Sequence, residues 1–383
     1  MKYLGRTLQI DKLLKSKSFF LLGPRSTGKT TLIRHQLPKA RIYDLLDHRT
    51  FSRLVKNPLL LEEENRNTQS PIVIDEIQKL PGLLDEVQRQ IAQSGRRFLL
   101  TGSSARKLKR GVANLLAGRA WMAELFPLTF EEIPDFDLIR YLNRGGLPQV
   151  YFSPNAAEEL ESYISLYLKE EVQAESLTRN LSSFAGFLDA IALSNGEEIN
   201  LESFGRDCGV SPLTVKNYIQ ILADTLIGFP LPGFTKTKKR KAISRIKHYL
   251  FDIGVVNSLT NRGEIKAKSE LFGKAFEQFI VQELRAYLSY SRSRESLSYW
   301  RSTSLFEVDL LVGQELAIEI KATAQVNDGH LKGLRALKEE GLIRRFAIVS
   351  LDEESRRTSD GIDIYPWRVL LKKLWGGALL AKS

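Results

Sequence analysis

Gly23, Gly28, Lys29 and Thr30 stand at the fixed places of G-x-x-x-x-G-K-[ST] within GPRSTGKTT, Gly23 to Thr31. Such a loop handles phosphate. Its two glycines let the backbone curl so that successive N–H groups point inward at the β- and γ-phosphates of a nucleotide, at the positive end of the following helix. Pro24, Arg25, Ser26 and Thr27 complete the cradle, Lys29 adds a point charge, Thr30 offers a hydroxyl to magnesium, and Thr31 opens the helix. A second group follows Pro71-Ile72-Val73-Ile74: Asp75 can hold the magnesium that Thr30 contacts, and Glu76 can orient and polarise a water. Ser103, in Gly102-Ser103-Ser104, is a candidate sensor of the γ-phosphate and reads equally as a helix cap. A third group lies far along the chain, where Asp309, Glu319 and Lys321 alternate on two strands and Glu277 sits on a preceding helix. Two or three carboxylates with a lysine suit magnesium-assisted phosphodiester hydrolysis, Lys321 positioning or activating water. Edge charges of an ordinary hairpin are the alternative reading.

The elements that must position these residues are legible in the hydrophobic pattern. Short apolar strands are predicted at Phe19 to Leu22, Ile42 to Leu45, Ile72 to Ile74, Phe98 to Thr101 and Trp121 to Leu125, alternating with helical stretches. That is the pattern of an α/β domain with a parallel sheet over residues 1–125. Between the last two strands a basic stretch, Ala105 to Gly111, precedes Leu115-Leu116-Ala117-Gly118-Arg119. Arg119, with Arg110 second, is the candidate for an arginine delivered to a neighbour's γ-phosphate; a solvated basic face is the alternative. Residues 126–180 turn helical, broken at Gly145-Gly146-Leu147-Pro148, as a lid or linker.

Residues 181–261 read as a helix-turn-helix followed by a hairpin. Leu201, Phe204, Val215, Ile219 and Leu222 are spaced for a three-helix core, and Ser211-Pro212 caps the last helix, which carries Lys216. The thirteen residues Thr235 to Lys247 hold seven basic side chains and no acidic one. On the wing of a winged helix, Lys236, Lys238, Lys239, Arg240, Lys241 and Arg245 would face DNA phosphates; a solvated surface is the alternative. Residues 262–383 bring an amphipathic helix, Ser269 to Tyr290, and strands Leu297 to Trp300, Phe306 to Val312 and Leu316 to Lys321, with later strands completing a mixed sheet.

Composition bounds these readings. With 383 residues, 43% hydrophobic and 26% charged, the chain has room for several cores, and its net charge of +11 fits a polyanionic partner. One cysteine, Cys208, excludes an internal disulfide and a cysteine-built metal site, and four histidines without paired spacing argue against histidine-bound zinc. No stretch approaches eighteen uninterrupted apolar residues, and Lys12, Lys15 and Lys17 break any leader-like run. A cytoplasmic location without membrane contact is expected.

Taken in order, GPRSTGKTT, IDEIQKLP, LLTGSSA, LAGRA, PLTF, GGLP, FGKAFEQFIVQEL, EVDLLV and IEIKAT make the whole chain resemble a prokaryotic family of AAA+-like ATPases. In that family a C-terminal domain of unknown function is similar to PD-(D/E)xK nucleases. The resemblance implies an ASCE/AAA+-type P-loop NTPase core, a helical lid, a winged helix and a mixed α/β restriction-endonuclease-like domain. It also implies magnesium-dependent ATP hydrolysis and a homo-oligomer, ring or filament. DNA transactions and ATP-gated signalling or defence switching are both among the settings it allows.

Overall fold

The computed structural model describes residues 3–104, 116, 118–168 and 181–380. Its first sheet has five parallel strands, β1 (Ser18–Leu22), β2 (Arg41–Asp44), β3 (Ile72–Asp75), β4 (Phe98–Gly102) and β5 (Ala120–Glu124), in the order β2-β3-β4-β1-β5. All five fall within a residue or two of the apolar runs. Because helices cover both faces, alternate residues of one strand enter different cores. Phe19, Leu21, Val73 and Leu99 meet the helices Ile10–Ser16 and Lys29–Gln36, whereas Phe20, Leu22, Ile74 and Leu100 meet Leu83–Ser94. β4 lies between β1 and β3, so the phosphate loop after β1 and the acidic pair at the end of β3 straddle the tip of β4. The basic stretch 105–115, including Arg110, lies outside the described residues.

Residues 126–168 form short helices, Leu138–Arg144, Pro148–Phe152 and Ala156–Ser162 among them. After residue 180 come helices Leu181–Leu193, Leu201–Asp207 and Pro212–Asp224, then the antiparallel hairpin β6 (Gly228–Pro232) and β7 (Ile246–Leu250). Ser211 caps Pro212–Asp224 as expected, its hydroxyl accepting the N–H of Thr214 at 3.1 Å.

The C-terminal sheet contains β8 (Leu297–Arg301), β9 (Glu307–Val312), β10 (Leu316–Ile320), β11 (Arg345–Ser350), β12 (Arg356–Arg357) and β13 (Asp363–Pro366), ordered β12-β13-β11-β10-β9-β8. β8, β9 and β10 form an antiparallel meander, and β11 joins β10 in parallel across the helix Lys332–Lys338. The long helix Glu270–Tyr290 buries Phe272, Phe276, Phe279, Ile280 and Leu284, the stripe its periodicity predicts.

Two features depart from the sequence reading. Among the described residues one hydrophobic core gathers side chains from Leu128 to Leu380, on both sides of positions 180 and 261, so lid, middle and C-terminal segments pack on one another. The basic run is also not a free wing tip. It leaves the hairpin and straps the edge of β8: Phe234 N–H donates to Tyr299 O at 2.7 Å, Ile243 N–H to Arg301 O at 2.8 Å, and Thr303 N–H to Lys241 O at 2.9 Å. An exposed strand edge is an energetic liability, and the strap covers it.

Glu283 lies inside the shared core and accepts the Phe130 N–H at 2.8 Å and the Trp375 indole N–H at 2.7 Å. Burial pushes its pKa up to about 8 despite those donors. Burial likewise raises Glu277 to about 7 and Asp252 to about 6. A carboxyl raised in the fold contributes stability below its unfolded pKa of about 4.5 that is lost as pH rises through the folded value. The unfolding free energy from urea titration should therefore fall between roughly pH 5 and pH 8, by an amount on the order of a few kcal/mol. Glu283→Gln should flatten much of that fall and leave the part due to Glu277 and Asp252.

Candidate functional site

The phosphate loop is built as its chemistry requires. Gly28 has φ +92°, and a Cβ on Gly23 would stand 2.5 Å from the Leu125 carbonyl at the end of β5, so both positions demand glycine. Lys29 is buried and its ammonium donates to the loop's own carbonyls, Gly23 O at 2.7 Å and Pro24 O at 3.0 Å. These weak acceptors hold the charge over the loop, where phosphate oxygens are better partners. Thr27 closes the curl by donating to Pro24 O at 2.8 Å, Arg25 is half-buried, and Ser26 and Thr31 are exposed.

The groups assigned to magnesium and water are equally close. Thr30 Oγ1 donates to Asp75 Oδ2 at 3.0 Å, so the two residues assigned to magnesium already share one point. Thr101 at the tip of β4 donates to the other Asp75 oxygen and accepts the Glu76 N–H at 3.1 Å. Glu76 itself sits at φ 59°, a costly left-handed conformation for a non-glycine residue that turns its carboxylate off the strand axis. Gln78 Nε2 donates to Glu76 Oε2 and, at 3.3 Å, to Ser103 Oγ, joining the water-activating candidate to the sensor candidate. With oxygen donors gathered around one point, the residues fit a hard divalent cation. Arg119 is exposed in the turn before β5 and reaches none of these groups.

Thr101, Gln78 and Arg6 were missed by the sequence reading. Arg6 is buried near the N-terminus, donates to Thr27 O at 2.7 Å and Phe126 O at 2.6 Å, and pairs with Glu132 at 3.0 Å. It pins the loop to the first turn of the lid. Beside it a largely apolar cleft of about 240 Å³ is lined by Tyr3, Leu4, Arg6, Gly28, Thr31, Leu128 and Pro148. A flat base entering there would keep its phosphates over the loop. Nothing local in the sequence marks Arg6, whose partners lie 21 to 126 positions away.

Gly145-Gly146-Leu147-Pro148 explains itself through Asp252, fully buried 106 positions beyond Gly146. Asp252 accepts the Gly146 N–H at 2.7 Å and the Val255 N–H at 3.2 Å, and a Cβ on Gly145 would collide with its carboxylate. The cleft wall at Pro148 is thereby tied to the strand β7 and the helix Ile253–Leu259.

The C-terminal group is partly assembled. Lys321 Nζ lies 2.7 Å from Glu319 and 3.7 Å from Asp309, whose Oδ2 also accepts the Ile320 N–H at 2.7 Å. Burial, then the nearby Asp309, hold the Glu319 carboxyl well above the carboxylate range; Asp309 and Glu319 in turn keep Lys321 charged against its own burial. Glu319 Oε2 is buried with no hydrogen-bond partner, the feature expected of an oxygen suited to a cation. Glu277 accepts the Tyr249 hydroxyl at 2.6 Å and stands 3.8 Å from Lys247; burial, then the nearby Asp309, raise its carboxyl. Among the described residues no three His, Cys, Asp or Glu side chains are gathered as a metal site. Of the expected set, Asp309 and Glu319 both flank Lys321, while Glu277 stands beside Tyr249 and Lys247 within the electrostatic reach of Asp309. The buried Lys247 of β7 feels the charges of Glu277, Glu307 and Asp309 together.

The basic candidates are scattered. Lys216 is exposed on Pro212–Asp224 and Lys236 and Lys241 on the strap. Glu340 accepts the backbone N–H groups of Lys238, Lys239 and Arg240, each at 2.9 Å, and the Arg240 guanidinium is half-buried against Glu339 at 2.6 Å. Lys239 donates to Glu339 O at 2.6 Å, while Arg245 pairs with Glu198 at 3.3 Å. Arg240 and Arg245 are thus engaged within the chain. No helix among the described residues is long and apolar enough to cross a membrane.

Residues 15–134 match a family model described as an AAA domain. Residues 135–266 and 272–370 match two described as domains of unknown function, DUF8612 and DUF4143. The phosphate loop, Asp75, Glu76, Ser103 and Arg119 all lie in the AAA-type segment. An uncharacterized protein of Mycobacterium tuberculosis is 27% identical over 362 residues, covering 90% of this chain and 79% of the relative. One of Methanocaldococcus jannaschii is 25% identical over 366 residues, covering 85% and 79%. Solved structures superpose poorly. The Aeropyrum pernix ORC1 protein in complex with DNA gives a TM-score of 0.29 at 13% identity, over 68% of this chain and 93% of that one. A STAND-type signal transduction ATPase with a tetratricopeptide repeat sensor from Pyrococcus horikoshii gives 0.26 at 16%, over 76% and 48%.

Proposed function

We propose that this chain, with its AAA-type phosphate-loop core, is a magnesium-dependent ATPase whose nucleotide state is read by the middle and C-terminal segments. One observation carries the reading: Lys29, Thr30, Asp75 and Glu76 meet around the tip of β4, with Gln78 joining Glu76 to Ser103. Thr30 and Asp75 would hold magnesium, which supplies charge neutralisation on the phosphates. The loop N–H groups and Lys29 bind the β- and γ-phosphates, and the cleft by Pro148 takes the base. Glu76 accepts a proton from the water that attacks the γ-phosphorus, Ser103 donates to a γ-oxygen, and ADP leaves with the electrons of the broken P–O bond. Arg119, exposed and away from its own site, is suited to a neighbour's γ-phosphate in a ring or filament.

We read the helices Leu201–Asp207 and Pro212–Asp224 with the β6/β7 hairpin as a winged helix that binds DNA, Lys216 and the strap lysines supplying phosphate contacts. The C-terminal domain is read as nuclease-like, with Asp309 and Glu319 as cation ligands and Lys321 beside them. Changing Lys236, Lys238, Lys239 and Lys241 together to Gln should weaken DNA binding across sequences and flatten its salt dependence, the slope falling by about 0.9 for each phosphate that is no longer neutralised. Fluorescence anisotropy at several salt concentrations measures it; unchanged slopes would place DNA elsewhere. A second reading is favoured by Glu339 and Glu340, which engage the strap within the chain: an ATP-gated interaction switch without DNA processing. Stimulation of ATP turnover by DNA separates the two.

A further inference from the structure

We propose that the Lys247 ammonium occupies the cation position of the C-terminal acidic cluster, so that this site takes a divalent cation only when β7 withdraws it. The inference rests on reading that cluster as a metal site. Lys247 belongs to the hairpin, not to the C-terminal sheet, yet its Nζ lies 2.7 Å from Glu307 and 3.8 Å from Glu277, over the Tyr299 ring at 5.0 Å. It is buried. Tyr249, two residues on and therefore on the same face of β7, donates to the same Glu277 oxygen. One strand thus brings a hydroxyl donor and an ammonium to Glu277, which stands within the electrostatic reach of Asp309.

The charge balance points the same way. Glu277, Glu307, Asp309 and Glu319 share Lys247 and Lys321, while Arg301 reaches Glu307 at 3.8 Å and is drawn to Glu198 at 3.4 Å. Glu319 Oε2 is left buried without a partner. A cluster with more carboxyl groups than basic partners, and one carboxyl oxygen unpaired, suits a divalent cation, and a fixed ammonium beside Glu277 opposes it by like-charge repulsion and by holding a ligand. A buried ion pair is weak evidence for stability, since apolar residues of similar volume often serve as well. Competition with an incoming cation gives this pair a use. β7 is also the strand whose end runs into Asp252 and so to Gly146 in the lid, which gives the middle segment a mechanical hold on Lys247.

The test is Mn²⁺ titration of nucleotide-free protein, followed by the paramagnetic resonance of free Mn²⁺, in an Asp75→Asn background that removes the phosphate-loop ligand. Lys247→Met should raise Mn²⁺ affinity about tenfold or more, Glu307→Gln should do so in part by loosening the lysine, and Asp309→Asn should cancel both gains. Lys247→Arg, which keeps the charge, should behave as the parent. Equal or weaker affinity in Lys247→Met and Glu307→Gln overturns the proposal while leaving a metal site in place. No Mn²⁺ bound by any variant overturns the metal reading itself. Circular dichroism checks folding; if Lys247→Met fails to fold, Glu307→Gln decides alone.

Discussion

Lys29→Ala is expected to abolish ATP turnover, and Glu76→Gln to retain ATP while cutting turnover about 10²–10⁴-fold. The two differ because their side chains do different work. Lys29 carries the loop's buried point charge and its ammonium is poised over Gly23 O and Pro24 O, so its loss removes binding to phosphate. Glu76 is held outside the loop by Gln78, which donates to its carboxylate, and by Thr101, which accepts its N–H. Gln at position 76 keeps the size and the left-handed backbone but cannot take a proton from water. Equilibrium binding of a fluorescent ATP analogue and steady-state phosphate release separate the two steps. Glu76→Gln turning over like the parent would remove Glu76 from the mechanism.

The second large effect is expected at Asp252, away from the nucleotide. Asp252→Ala should destabilise the lid and middle segment by roughly 2–5 kcal/mol, since it strands the buried Gly146 N–H and uncaps the helix Ile253–Leu259. That corresponds to a fall in melting temperature of roughly 5–15 °C. Asp252→Asn keeps one acceptor and should lose less. Because Gly146 leads directly to Pro148 on the cleft wall, ATP affinity should fall with stability in both variants. Differential scanning fluorimetry with and without ATP measures both. A normal melting temperature in Asp252→Ala would show the junction to be idle.

The parallel sheet was legible because β1, β3 and β4 are apolar on both faces, and the phosphate loop because its glycines and lysine occupy fixed, local places. Asp75 and Glu76 follow from being at a strand tip after such a run. The rest depends on contacts between distant segments. Arg6 bonds residues up to 126 positions away, and the glycines at 145 and 146 make sense only once Asp252 is beneath them. A local charge count also misjudges the basic run. Seven cations in thirteen residues suggest an open surface, yet Arg240 is clamped by Glu339, Glu340 cradles three successive N–H groups, and Lys247 points into a carboxylate cluster. Strand alternation did bring Asp309, Glu319 and Lys321 together. It could not show that a neighbouring strand would send a lysine to Glu277.

The most direct test of ATP hydrolysis is phosphate release by the intact chain given ATP, with magnesium or with EDTA, in the presence and absence of DNA. Release that requires magnesium and disappears in Lys29→Ala is the predicted result. Tight ATP binding with no phosphate released under any of these conditions would contradict it and leave a nucleotide-gated switch.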